Sequence, residues 1–414
     1  MSKRLILLTI GVLLLAALSA WATESRVFTM GRSGLYLKDD AGIFFYPGTM
    51  PMYKNMIIAE HYTNSDTSVS SSVGPFSYGS FRRAGIILPV WNNGTLAVFA
   101  GDGSESFLVG GGGTFIAPNS RFLVGYGLNA GNATVGFQFD YSGVRDEDPD
   151  AVPQPFQADI FTANTWGFGV GLSTPMGDLN SLDLGFRLRI GSFEWKLDTT
   201  ATDNILAASD GNTTLSFTVR DYYALNDFVN LVPVGVLGIS TQKDVDSTTA
   251  PAERFKRSLT AIEVGLGIQT KPSENSEIIG GVGYRSGKLT EKQLTTAGGD
   301  SLEESTTETS LPFAFLGFEA QVKSWMHFRL GVNKDIVTIK NKNELPASTG
   351  APDRDESKDS ESPLHYAVGV GIHAGPVTMD ASVSNDFFTE GPNFLSGQTS
   401  GDLFPRISFV YNFK

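Results

Sequence analysis

The feature that most constrains this chain is an alternation of apolar with polar or glycine residues, repeated from about Met56 to the last residue. In residues 182–190, Leu182, Leu184, Phe186, Leu188 and Ile190 share one face, and Asp183, Gly185, Arg187 and Arg189 share the other. At 165–172, Trp166, Phe168, Val170 and Leu172 alternate with Thr165 and three glycines; at 262–269, Ile262, Val264, Leu266 and Ile268 alternate with Glu263, two glycines and Gln269. Similar runs occur at 122–128, 135–141, 215–219, 326–332, 366–373 and 377–384. A period of two is the mark of a β-strand with two unlike faces.

Two architectures use such strands. In a sandwich the apolar face packs a second sheet; in a membrane barrel it meets lipid, while the polar face lines a lumen. Three features favour the barrel. Short connections, at 175–178, 271–275, 323–325 and 374–376, alternate with long polar ones near 143–161, 198–211, 241–257, 290–308, 340–362 and 388–402. Short turns on one rim and long loops on the other are how outer-membrane barrels are built. The chain ends in a strand whose Ile407, Phe409, Tyr411 and Phe413 share a face, as in the carboxy-terminal signal read by barrel-inserting machinery, with Lys414 after the last aromatic. Aromatic residues such as Trp166, Trp195, Trp325 and Tyr411 fall near expected strand ends, where their rings suit the membrane boundary.

In lipid each unpaired backbone amide costs several kcal/mol, so the sheet must close on itself. Strand starts near 404, 376, 362, 325, 309, 276, 258, 228, 212, 181, 162, 131 and 121 follow from the pattern. Three more, near 95, 80 and 56, bring the count to sixteen, with Asn93-Gly94 as a tight turn between two of them. The expected fold is therefore all-β: a closed antiparallel transmembrane barrel of 14–16 strands, with short periplasmic turns, long extracellular loops and an amino-terminal plug.

The amino terminus reads as a secretory signal over residues 1–22: Lys3 and Arg4, an apolar stretch from Leu5 to Leu18, and small residues around Trp21. Residues 23–54 alternate poorly and are expected to plug the lumen or line its periplasmic mouth, leaving 55–414 as the barrel. No cysteine is present, so no disulfide supports the fold. Loss of Lys3 and Arg4 with the signal moves the net charge from -13 to about -15, which argues against a nucleic-acid partner. The expected location is the bacterial outer membrane; the expected partners are its lipid and the barrel-assembly machinery.

The stretch from Met30 to Met50, MGRSGLYLKDDAGIFFYPGTM, resembles the amino-terminal region of a broad outer-membrane group that includes FadL-type transporters of hydrophobic compounds and PorV-like proteins of secretion systems. Members often carry a glycine-containing segment, an acidic pair and then Asn-Pro-Ala. Asp39 and Asp40 match the pair, while Tyr46-Pro47-Gly48 stands in place of Asn-Pro-Ala, and about twenty residues carry the resemblance. It implies a fourteen-stranded barrel with an amino-terminal plug, where the strand pattern favours sixteen.

Alternation assigns Asp183, Arg187, Arg189, Glu263, Arg285, Glu319, His327, Arg329, Asp335, Asp380 and Arg406 to the lumen. Such charges either line a water-filled passage and set its selectivity or pair into a salt-bridged interior. Phe313 and Phe315 give that lumen some apolar character. None of the four histidines, His61, His327, His365 and His373, sits in a nucleophile motif, so no enzyme is expected. The acidic runs at 146–150 and 353–356 lack calcium-loop spacing and read as solvated loop tips, and the glycines at 110–113 lack the lysine of a phosphate loop. No metal or other cofactor is expected. The functional expectation is passive transport of small solutes, hydrophobic ones included; the alternative is a plugged, PorV-like scaffold that engages a secretion partner. Whether residues 23–54 and 101–120 fill the lumen separates the two.

Overall fold

The structure is a computed structural model. It describes residues 23–31, 33–62, 82–91, 93–102, 120–148, 156–177, 180–199, 204–246, 253–294, 302–344, 354–383 and 406–413. The expected signal at 1–22 and the glycine run at 110–113 lie outside them.

The strands are β1 (Met56–Tyr62), β2 (Arg82–Val90), β3 (Gly94–Asp102), β4 (Ser120–Ala130), β5 (Ala133–Asp148), β6 (Phe156–Pro175), β7 (Ser181–Thr199), β8 (Asn204–Asn226) and β9 (Val229–Asp246). They continue as β10 (Glu253–Ser273), β11 (Ser276–Leu294), β12 (Leu302–Lys323), β13 (Met326–Glu344), β14 (Arg354–Glu361), β15 (Leu364–Ala374), β16 (Val377–Val383) and β17 (Arg406–Asn412). Sequence neighbours other than β14 and β15 pair antiparallel, and β1 pairs with β17 from Met56↔Asn412 to Tyr62↔Arg406, closing the ring. β14 and β15 both pair with β13, end to end across Ser362-Pro363, so they form one stave and the barrel has sixteen. The count agrees with the strand pattern rather than with the fourteen implied by the family resemblance.

The outward face is apolar where the alternation is clearest. Phe186 and Ile190 of β7, Val264 and Leu266 of β10, and Phe328 and Leu330 of β13 are exposed, as a lipid-facing band requires. Such a band needs only about 10 tilted residues per strand, whereas β5–β13 run to 16–23 residues. They overshoot the bilayer on the long-connection rim. On β7 the outward positions change from Leu188 and Ile190 to Ser192 and Glu194, and on β11 from Val282 and Tyr284 to Ser286 and Lys288.

This overshoot corrects several sequence expectations. The long polar loops expected near 143–161, 198–211, 241–257, 290–308 and 340–362 are largely paired strand, because hydrogen bonding continues where lipid no longer imposes alternation. Asp146, Glu147 and Asp148 lie on β5, and Arg354, Asp355 and Glu356 on β14, rather than at loop tips. Trp166 lies mid-strand in β6, at the edge of the apolar band rather than at a strand end. On the opposite rim the turns are tight: Glu274-Asn275, Ser324-Trp325 and Gly375-Pro376. Gly94 already pairs with Val90 as part of β3, so Gly94 does not belong to the tight turn expected at Asn93-Gly94.

No helix among the described residues is long and apolar enough to cross a membrane; the crossing is made by strands in a closed ring. Closure, a lipid-facing band and sorted turn lengths together define a barrel of the bacterial outer membrane.

Candidate functional site

The lumen is occupied. Helix α1 (Glu24–Thr29), capped by the Thr23 hydroxyl, is followed by the 3-10 turns η1 (Asp40–Phe44) and η2 (Pro47–Met52). This segment lies along the inward faces of the strands: α1 against β13 and β15–β17, Tyr36 against β10, and η2 against β3–β7. Met30, Leu35, Leu37, Ile43, Tyr46 and Met50 are fully buried in two clusters with wall residues such as Val232, Ile279, Phe315, Ile87 and Leu123.

Glycine makes the fit possible. A Cβ on Gly136 would stand 1.9 Å from the Pro47 carbonyl oxygen, and one on Gly185 would stand 1.9 Å from that of Phe45. Both lie far inside van der Waals contact, so the backbone of the inner segment occupies the volume that side chains of β5 and β7 would otherwise fill.

Charge then fastens the segment to the wall. In α1, Arg26 donates from Nε to Glu319 at 2.9 Å and from Nη2 to Glu277 at 3.0 Å. Arg329 bridges Glu319 to Asp380, and the Thr23 hydroxyl donates to Asp380 at 2.9 Å. Ser25 and Ser408 share a hydrogen bond of 2.6 Å, and Arg406 stacks on Phe28 at 4.6 Å. His327 faces Glu319 at 4.0 Å, and its ring meets His373 edge-on at 4.6 Å.

A second group centres on Arg220, which is wholly buried. It donates to Asp183 at 2.8 and 3.1 Å and to the carbonyl oxygens of Leu35 and Leu37, with its guanidinium over the rings of Tyr46 and Tyr222. In a third group, Arg285 pairs with Glu263 at 2.9 Å, approaches Asp335 at 4.0 Å and lies over Phe313. The Tyr36 hydroxyl donates to the same Glu263 at 3.5 Å, and Phe315 packs on the Tyr36 ring. A fourth places Asp140 among Arg187 at 2.7 Å, Arg121 at 3.4 Å and Arg189 at 3.9 Å.

All eleven charges assigned to the lumen by alternation therefore point inward. They meet other charged wall residues or the inner segment. Asp140, Arg121 and Arg220 are not among those eleven, although the runs at 122–128, 135–141 and 215–219, continued by one residue at Arg121 and Arg220, place them on the inward face. For Arg26 no periodic signal exists. Within the family-like motif, Asp39 caps η1 by accepting from Gly42 N at 3.2 Å, Pro47 opens η2, and Asp40 is buried beside Asp39 with one carboxylate oxygen lacking a hydrogen bond. Burial, reinforced by the charges of Asp39 and Glu60, pushes the Asp40 carboxyl well above the usual carboxylate range. Phe409 and Tyr411 face outward on β17, and Phe413 stacks on Tyr411 at 6.3 Å.

A cleft open to solvent interrupts this packing, lined by Phe44 of η1, Arg83 of β2, Phe99, Ala100 and Gly101 of β3, and Arg121 and Leu123 of β4. It opens at the end of the low wall formed by β2–β4, beside the long-connection rim. Arg83 pairs with Glu60 and lies over the Phe44 ring at 4.1 Å. Among the described residues no group of three or more metal-binding side chains comes together.

No family model and no curated protein matches the chain. Solved structures with similar shape are membrane barrels. The Pseudomonas putida toluene transporter TodX is 9% identical, with 91% of this chain and 95% of that one covered at a TM-score of 0.36. The Ralstonia pickettii toluene transporter TbuX is 7% identical, with 90% and 94% covered at 0.39. The ferric-catecholate import receptor Fiu of E. coli K12 is 9% identical, with 86% and 81% covered at 0.41. At these scores the likeness assigns no ligand and no residue, and the barrel stands on its own closed register.

Proposed function

We propose that this chain is an outer-membrane transport barrel for small hydrophobic solutes, closed to ions and bulk water by residues 23–54. The observation that carries this reading is the tie between Arg26 and the two wall carboxylates Glu319 and Glu277, which holds a buried segment across the lumen. A general porin would keep its charges hydrated and its path clear. Here the inward charges are paired, and the cleft is walled by Phe44, Phe99 and Leu123. Concave, mostly apolar pockets with a few fixed polar groups suit small apolar ligands. The scaffold reading keeps one supporting feature, the wall of β5–β13 that stands clear of the bilayer and could carry a protein partner.

The test is single-channel recording on the folded barrel in a planar bilayer, paired with uptake of labelled naphthalene into vesicles with a glycolipid outer leaflet. Silence in salt together with barrel-dependent uptake is expected. Regular conductance steps from the intact chain would overturn the closed-lumen part. Silence without uptake would remove transport and leave the scaffold.

A further inference from the structure

Beyond the apolar band the outward face of β9–β14 carries rows of lysine. Lys243 on β9 stands directly opposite Lys256 on β10, and Lys256 directly opposite Lys292 on β11. Nearer the band, Lys340 on β13 stands opposite Lys358 on β14, and Lys288 on β11 is separated from Lys340 only by Thr307. With neighbouring strands about 4.8 Å apart, three ammonium groups of the upper row fall within roughly 10 Å. Lys292 reaches Glu303 at 2.6 Å, whereas Lys243, Lys256, Lys288, Lys340 and Lys358 have no ion-pair partner among the described residues.

Like charges directly opposite each other weaken a sheet. Lysines often guard exposed sheet edges, but Lys256, Lys288, Lys292 and Lys340 lie on strands paired on both sides. Solubility does not call for this pattern either, in a chain of net charge -13. The position is more informative. The lysines begin four to six residues beyond the last lipid-facing side chains, Ile239, Ile262 and Tyr284. At about 2.5 Å of height per tilted residue, that is the level of the outer-leaflet headgroups. We infer that these lysine rows form a collar that binds the phosphate groups of a glycolipid in the outer leaflet, so that the acidic barrel is ringed on this side by anionic lipid. Basic clusters beside a membrane surface attract anionic lipid in this way.

The probe is bis-phosphorylated lipid A, titrated into folded barrel in neutral phosphatidylcholine nanodiscs and read by native mass spectrometry. Saturable binding is expected, with the dephosphorylated glycolipid and free inorganic phosphate failing to compete. The variant carrying Lys243→Gln, Lys256→Gln and Lys292→Gln should bind at least about tenfold more weakly. The triple arginine variant should retain binding, and both should keep the heat-modifiable gel mobility of a closed barrel. Equal binding of phosphorylated and dephosphorylated glycolipid, full binding by the folded glutamine variant, or displacement by free phosphate would overturn the inference.

Discussion

Arg26 shows how one side chain can decide the state of the lumen. Its guanidinium is buried, and it meets Glu319 and Glu277 on β12 and β11. Removing one member of a buried ionic network leaves charge without compensation, at a cost of roughly 3–5 kcal/mol. Arg26→Ala should therefore release the amino-terminal segment while the barrel stays folded, measured as protease cleavage within 23–54 without loss of heat-modifiable mobility. Asp40 acts in the opposite sense. Its carboxyl titrates above its unfolded value of about 4, so the folded chain keeps a proton that the unfolded chain gives up. The stability this confers is complete below the unfolded value and is lost as pH rises through the folded one. Asp40→Asn should stabilise the protein at neutral pH by roughly 1 kcal/mol. The gain should vanish in acid, as urea titrations in vesicles at several pH values would show.

Among the elements, the glycine-rich inward faces of β4–β7 and β10 are what the inner segment fits. Gly136→Val would drive a branched side chain into Pro47, and the expected result is a displaced segment and a barrel that conducts, recorded as current steps absent from the parent. The strands themselves were legible because lipid enforces alternation: Leu182 to Ile190 could be read at sight, as could the short-turn starts of β5, β7, β9, β11, β13 and β16, whereas β6, β8, β10, β12 and β14 begin five to eight residues before their expected starts. The upper halves of β5–β13 were not, because Ser192, Glu194 and Lys288 face water and any polar residue serves there. The same split holds for the site. Asp183 and Glu319 could be placed on the lumen face by parity, but no periodicity in 23–54 says that Arg26 reaches Glu319. That contact joins residues 293 positions apart and is set only when the ring closes.

For the molecule as a whole, closure and filling are linked. The inner segment precedes β1 in the chain, packs on β13 and β15–β17 through α1, and on β3–β7 through η2. A chain lacking residues 23–54 should insert and show steady ohmic conductance, and silence from that variant, once folded, would mean that wall residues alone obstruct the passage. The join between β1 and β17, from Met56↔Asn412 to Tyr62↔Arg406, brings together the first strand and the last. A segment spliced to the first stave completes its grip on the last ones only when β1 and β17 meet, so stopper and seam brace each other: whatever loosens one slackens the other.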